Sequence, residues 1–317
     1  MKKIICIGEA LIDMICTDKG KALSDGDHFL KKAGGAPTNV AAAIAALGGD
    51  VDLLATVGAD PFGKHLMDVM HAFGVSTRWV NRDPDHFTTF AFVSLMESGE
   101  RDFFFNRGAD GHLQKEIVEK IPLEEVGIVH FGSATAFLPG SLQEAYLELL
   151  RRAQLQGCYI SFDPNYRHLL FPDNSRSFID QSWHFLANCD FFKVSDEEAM
   201  LLTGAFSVAD AARILRKKTT AVFAITQGKE GTLLGFADEL IQVPSIPAKV
   251  TDTTGAGDAF VGAVLYQLSK LRREEQKLLT ADNWKAIIRN GNKAGARTCE
   301  YLGAMEAFKH LSQDIFL

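Results

Sequence analysis

Residues 250–268 read VTDTTGAGDAFVGAVLYQL, and the reading of this stretch decides the fold. Thr253 and Thr254 lead into Gly255-Ala256-Gly257. Asp258 follows, and apolar residues then recur at helical spacing at Phe260, Val264, Leu268 and Leu271. A turn crowded with small residues, followed by that period, predicts a helix beginning near Gly257. The first N–H groups of such a helix have no intrahelical partner and lie at the positive end of its dipole. Gly255 and Gly257 carry no side chain that would hold an anion away from them. Residues Gly255, Ala256, Gly257 and Asp258 therefore read as an anion hole with a carboxylate at its rim. A carboxylate next to a bound phosphate is repelled by it, so its presence needs a reason. Asp258 acting as the base that takes a proton from a nucleophile attacking the phosphate supplies one. Taken alone, GAGD is equally a glycine-rich turn whose Asp favours the helix dipole.

Two motifs are excluded. A dinucleotide fingerprint needs a third glycine at 260, where Phe260 stands, and a strand directly before the loop. A P-loop needs Gly-Lys-Ser/Thr, and that tripeptide is absent. The 317 residues, 47% hydrophobic and 23% charged, suit either two domains or one large α/β domain with an insertion. A net charge of −7 argues against nucleic-acid and membrane-surface roles. Cys6, Cys16, Cys158, Cys189 and Cys299 are odd in number and form no CxxC pair, which points to buried free thiols in a reducing cytoplasm. Lys2 and Lys3 precede an apolar IICIG, but Glu9 and Asp13 interrupt it too early for a secretory leader. The longest uncharged stretches contain Gly, Pro and Asn and do not read as membrane spans.

Outward from the glycine turn, short apolar runs alternate with helical patterns. KIICIG (3–8) reads as a central strand covered on both faces. Asp13 follows, either a solvated loop residue or one delivered to the ligand edge of the sheet. Gly34-Gly35-Ala36-Pro37-Thr38-Asn39 opens an Ala-rich helix that Gly48 stops. Asp60-Pro61 caps a second helix, which runs to about Phe73 and ends at Gly74. TTFAFVSLME (88–97), a Ser98-Gly99 turn and RDFFFN (101–106) predict a hairpin, part of a small β appendage shared with residues near 15–32. VGIVHF (126–131), a helix from Pro139 to Gln156 closed by Gly157, and CYISFD (158–163) continue the alternation. Apolar strands then run into DPNYR (163–167), into Ser195 and Glu198, which fit a capping box, and into a Gly228–Gly231 turn. A last helix begins around Asn283.

The run DTTGAGDAF (252–260) resembles the C-terminal signature of the PfkB or ribokinase-like carbohydrate kinases. GGAPTN (34–39) with VGADPFG (57–63) resembles their N-terminal signature, and the likeness extends from Lys3 to about Gly303. It implies a three-layer α/β/α sandwich with a mainly parallel sheet, one kinase domain over 1–317, and a β lid formed by about 14–33 and 87–110. It implies an ATP-dependent sugar kinase, with ATP, Mg²⁺ and, in some members, K⁺ as cofactors, working as a monomer or as a homodimer through the lid. FFFNRGADGHL (103–113) and FDPNYR (162–167) look most like fructokinases. 2-Keto-3-deoxygluconate kinases and ribokinases share the catalytic half, and a catalytically silent sugar sensor shares the fold. By the same resemblance Asp258 is the base. Asp13, Gly34, Gly35, Asn39, Arg107 and Arg167 face the sugar. Asn165, Thr226, Gly228, Gly231, Gly255, Gly257 and Asn292 face the nucleotide. Glu198 acts on Mg²⁺ through water, although Ser195 replaces the family's Asn. Asp252 and Thr254 match monovalent-cation ligands, with Gly303 as a third. GNKAGART (291–298) departs from the small apolar run that lines the adenine pocket in relatives.

Overall fold

The run KIICI at Lys3–Ile7 forms strand β1, and its side chains alternate between two apolar clusters, Ile4 and Cys6 on one face, Ile5 and Ile7 on the other. A strand that buries both faces belongs inside a sheet covered on both sides. The computed structural model, which describes residues 1–95, 101–172 and 175–317, places it there. After β1 come β2 (Leu11–Cys16), β3 (Phe29–Gly34), α1 (Ala36–Ala46), β4 (Val51–Gly58), α2 (Pro61–Phe73) and β5 (Ser76–Asp83). β6 (Phe90–Leu95) and β7 (Arg101–Asn106) precede α3 (Lys115–Glu119), β8 (Val126–Phe131), α4 (Ser141–Gln156) and β9 (Tyr159–Phe162). Next are α5 (Ser175–Leu186), β10 (Phe191–Ser195), α6 (Asp196–Thr203), α7 (Val208–Lys218) and β11 (Val222–Thr226). β12 (Thr232–Phe236) and β13 (Glu239–Val243) lead to α8 (Ala256–Ser269), α9 (Arg273–Lys277), α10 (Ala281–Thr298) and α11 (Ala304–Phe308).

Among the described residues the main sheet has nine strands in the order β13-β12-β11-β10-β9-β8-β1-β4-β5. From β11 to β5 neighbouring strands are parallel, and β12 and β13 add an antiparallel edge. Helices α1, α2, α8 and α10 cover one face, and α4, α5, α6 and α7 cover the other. This is the expected three-layer α/β/α sandwich. A second sheet, β3-β2-β6-β7, stands apart from the first. Its β2 pairs antiparallel with β3 and parallel with β6, and β6 pairs antiparallel with β7. The Ser98-Gly99 turn expected between β6 and β7 lies outside the described residues.

Local chemistry sets the boundaries. Asp60 accepts from the N–H groups of Phe62 and Gly63 at 2.9 and 2.8 Å, so α2 starts there, and Gly74 at φ 85° stops it. Gly157 at φ 73° ends α4 in the same way. Strand β6 begins at Phe90, two residues later than the sequence pattern suggests, because Thr88 and Thr89 are spent on other contacts. Thr88 bonds to Asp60 through both its N–H and its hydroxyl, and the Thr89 hydroxyl donates to Asp110. Helix α10 starts at Ala281 through a capping box between Thr280 and Asn283. Of the thiols expected to be buried, Cys6 and Cys158 are; Cys16, Cys189 and Cys299 are partly exposed. Among the described residues no helix is long and apolar enough to cross a membrane.

Candidate active site

Asp163 follows β9, Ser195 ends β10 and Thr226 ends β11. These positions lie at the carboxyl edge of the parallel strands, where open α/β sheets bind ligands. Helix α8 points its N-terminus into the same region. Its cap, Gly255, has φ 81°, and a Cβ built on it would lie 2.4 Å from Ala304 Cβ, so both backbone and space demand glycine. The helix's first-turn N–H groups have no carbonyls behind them within the helix; Ala256 N–H meets Thr253 O at 3.2 Å, while those of Gly257 and Asp258 have no backbone partner among the described residues and can meet an anion. A Cβ at Gly257 would lie 3.3 Å from Lys193 Nζ, so the Lys193 ammonium stands at the helix mouth.

Asp258, buried in the first turn of α8, accepts a hydrogen bond from Asn39 Nδ2 at 2.8 Å. Helices α1 and α8 come close enough for this because Gly262 faces Ala43, where a Cβ would sit 2.8 Å away. The Asn39 Oδ1 is buried and without a hydrogen-bond partner among the described residues. Burial pushes the Asp258 carboxyl above the usual range, and the Asn39 amide with the charges of Lys193 and Arg167 only partly offsets this. A carboxylate held so is a stronger base than an exposed one.

Asp13 does not hang from the edge of the main sheet. It lies on β2 of the second sheet, opposite Lys32 of β3. A Cβ at Gly34 would fall 2.0 Å from Asp13 Oδ2, so glycine at 34 is what lets that carboxylate turn inward. Burial raises Asp13 to about 7, and the Arg167 guanidinium opposes the rise. Arg167 thus acts on both Asp13 and Asp258, and these residues with Asn39 form one cluster drawn from four separate segments.

Over residues 1–310 the sequence matches the pfkB family carbohydrate kinases. The chain belongs to that family. It is 34% identical over 313 residues to a probable chloroplastic fructokinase-6 of Arabidopsis thaliana, covering 96% of this chain and 79% of the relative. The ATP-bound fructokinase of Xylella fastidiosa superposes with a TM-score of 0.86 at 30% identity, over 99% of this chain and 96% of that one. A fructokinase double mutant of Vibrio cholerae with fructose, ADP and potassium bound gives 0.83 at 26%, over 100% and 97%.

In this pfkB kinase the remaining candidates fall into two groups. Asn165, at φ 48°, donates to Gly132 O at 3.0 Å and takes its N–H bond to Asp163 Oδ1, which pins the DPNYR loop. Glu198 accepts from Tyr166 N–H at 2.8 Å and from Ser195 N–H at 2.7 Å, so one carboxylate ties that loop to α6. Thr226 donates to Val194 O, and Gly228 and Gly231 turn the chain at φ 54° and 91°. Asp252 gathers Thr254, through its N–H and hydroxyl, and Gly303 N–H at 2.8 Å. Two candidates are engaged elsewhere. Arg107 donates to Pro139 O at 2.6 Å and Thr135 O at 3.2 Å, which ties β7 to the loop after β8. Asn292 bonds to Thr232, Val243 and Pro244 and braces α10 against the edge strands. A cleft of about 320 Å³ opens beside it, lined by Ile246, Pro247, Ala248, Lys293, Ala296 and Arg297.

Three residues packed against the candidate site escape sequence reading. Lys193, buried within FFKVS, lies 3.3 Å from Asp163 Oδ2. Burial alone would drive its proton off, but the charges of Asp163, Glu198 and Asp258 outweigh that and hold it cationic. Asp163 opens the DPNYR segment but carries no role of its own until Lys193 stands opposite. Glu9, fully buried, accepts from Ala36 N–H at 2.9 Å and from the Ser133 hydroxyl, and its own carbonyl accepts from Thr38. It holds the Gly34-Gly35 turn from behind, and burial raises its carboxyl to about 7.

Proposed function

We propose that this kinase is an ATP-dependent fructokinase that converts D-fructose and ATP to D-fructose 6-phosphate and ADP. The observation that carries the reading is Asp258, a buried carboxylate of raised basicity at the bare N-terminus of α8, bonded to Asn39. Fructokinases recur among the relatives, and FFFNRGADGHL and FDPNYR favour fructose as acceptor. The sugar sits against Asp13, Gly34, Gly35 and Asn39, whose unpartnered Oδ1 accepts a hydrogen bond from a sugar hydroxyl, with Arg167 and the anchored Arg107 at the rim. Asp258 accepts the proton of the attacking hydroxyl as the oxygen closes on the γ-phosphorus and the bond to the β-phosphate breaks. The N–H groups from Gly255 to Asp258, with the Lys193 ammonium, stabilise charge on the transferring phosphoryl.

Nucleotide phosphates lie along Asn165, Thr226, Gly228 and Gly231, and the cleft beside Asn292 takes the adenine, with Lys293 and Arg297 at its wall. Glu198 would hold Mg²⁺ through water, since both its carboxylate oxygens already accept backbone N–H bonds. When bound, the ion neutralises phosphate charge. Oxygen atoms of Asp252 and Thr254 beside Gly303 are the donor type that K⁺ prefers. The second sheet acts as a lid over the sugar that excludes water. Ile15 and Leu30, half-exposed neighbours across β2 and β3, suit pairing of two lids in a homodimer.

The test is coupled ADP release over a panel of fructose, ribose and 2-keto-3-deoxygluconate, with Mg²⁺ and with or without K⁺. Fructose should give the highest kcat/KM. A higher value on either other substrate moves the assignment within the family, and no turnover on any sugar leaves a silent sensor.

A further inference from the structure

The chain crosses between its two sheets along 84–89, leading into β6, and returns along 107–112 after β7. These stems are tied to each other: Ala109 N–H donates to Phe87 O at 2.8 Å, and Gly108 N–H donates to the Thr89 hydroxyl at 2.9 Å. Outside these bonds sits a cluster that no step of the phosphoryl transfer uses. Asp83 ends β5, His86 lies on the outgoing stem and His112 on the returning one. One ligand atom from each lies within 4.8 Å of the others. The two imidazoles stack with centroids 3.5 Å apart and planes 15° from parallel.

The Asp83 carboxylate is held by the N–H groups of Asp85 and His86 at 2.8 and 3.3 Å, and its second oxygen meets His86 Nδ1 at 2.9 Å. Once deprotonated, His86 Nδ1 presents its lone pair beside the Asp83 oxygen 2.9 Å away, so the two atoms can face one ion together. His112 adds a second imidazole against it. Two imidazoles and a carboxylate match the donor set of three-ligand zinc sites whose fourth position is left to water.

We propose that Asp83, His86 and His112 form a Zn²⁺ site that joins the two stems of the second sheet. The chemistry selects a borderline ion over Mg²⁺, which prefers all-oxygen donors. A bound ion would fix 84–89 against 107–112 and so limit movement of the sheet they carry.

The test titrates the full-length chain with ZnCl₂ by calorimetry and with CoCl₂ by visible absorption, in Mg²⁺-containing buffer so that the phosphate site is not competed for. One equivalent should bind, with Co²⁺ giving the d–d bands of a four-coordinate ion. His86→Ala/His112→Ala, shown folded by circular dichroism, should lose about tenfold or more in affinity and lose the bands. If the double variant fails to fold, His112→Asn is read by the same titration and should weaken binding likewise. Asp83→Asn, which retains an oxygen to cap Asp85, should weaken it less. Absence of a stoichiometric site in the wild type, or unchanged affinity in the histidine variant that folds, overturns the proposal.

Discussion

Asp258 is buried and Asp13 half-buried, and loss of solvent gives each a different consequence. Asp258→Asn keeps the size of the side chain but removes its basicity. It should fold and bind both substrates while kcat falls about 10²–10⁴-fold, measured by ADP release. Asp13 titrates at about 7, so fructose kcat/KM should fall as pH drops through that value, well above the usual carboxylate range. The stability sign follows from the same shift. The folded pKa exceeds the ordinary 3.8, so the fold favours the neutral acid, and that contribution is complete below 3.8 and lost as pH rises through about 7. Asp13 also borders the open cleft, so only part of the shift counts. Asp13→Asn should therefore stabilise the chain at pH 8 by roughly 1–2 kcal/mol in urea unfolding, with no gain near pH 4. Fructose KM should rise about 10–100-fold in the same variant. Asp258 was legible because its glycines and flanks form one contiguous signature. Lys193 and Glu9 were not, since an isolated Lys in FFKVS or Glu in IGEA acquires meaning only when Asp163, Gly257 and the turn at Ala36 are folded against it.

On helix α8, Gly255 is required by the backbone, and Gly257 is proposed to serve the phosphate. Gly255 has a left-handed φ and Ala304 pressed against it, so Gly255→Ala should cost about 2–4 kcal/mol in urea unfolding. Gly257 has ordinary helical backbone and meets only the tip of Lys193. Gly257→Ala should stay within about 1 kcal/mol of wild type in stability. Its kcat/KM for ATP should nevertheless fall on the order of tenfold, because the methyl intrudes where phosphate meets amide hydrogens. Equal effects of both substitutions on stability and turnover would count against an anion hole at this turn. Caps made both ends of α2 and the C-terminus of α4 readable to the residue, since Asp60, Gly74 and Gly157 each stand where backbone geometry requires their type; α4 has no side-chain cap at its start and begins at Ser141, two residues after Pro139. Strand β5, the edge strand β13 and helix α5 carry no comparable contiguous signal, and their assignment depends on what they pack against, whereas α7 has a local start in Ser207, which accepts from Asp210 N–H at 3.1 Å.

Across the whole molecule, residues distant in sequence reach one cleft because the doubly wound order brings successive strand ends to one edge, with the second sheet folded over it. The sheet topology could be anticipated from alternating strand and helix patterns, whereas the seating of Asp13 on the second sheet depends on β2–β3 pairing through Gly34. If the second sheet closes over sugar, fructose with a non-hydrolysable ATP analogue should slow amide hydrogen exchange in 11–16 and 90–95 more than in β1. Equal protection would contradict closure. The proposed chemistry turns on what meets the start of α8, so the decisive measurement is a crystal structure of the kinase with fructose and that analogue. The terminal phosphate should contact the N–H groups of residues 255–258, with the fructose 6-hydroxyl within hydrogen-bond reach of the Asp258 carboxylate. A terminal phosphate bound away from that turn, or a 6-hydroxyl paired to another base, would contradict it.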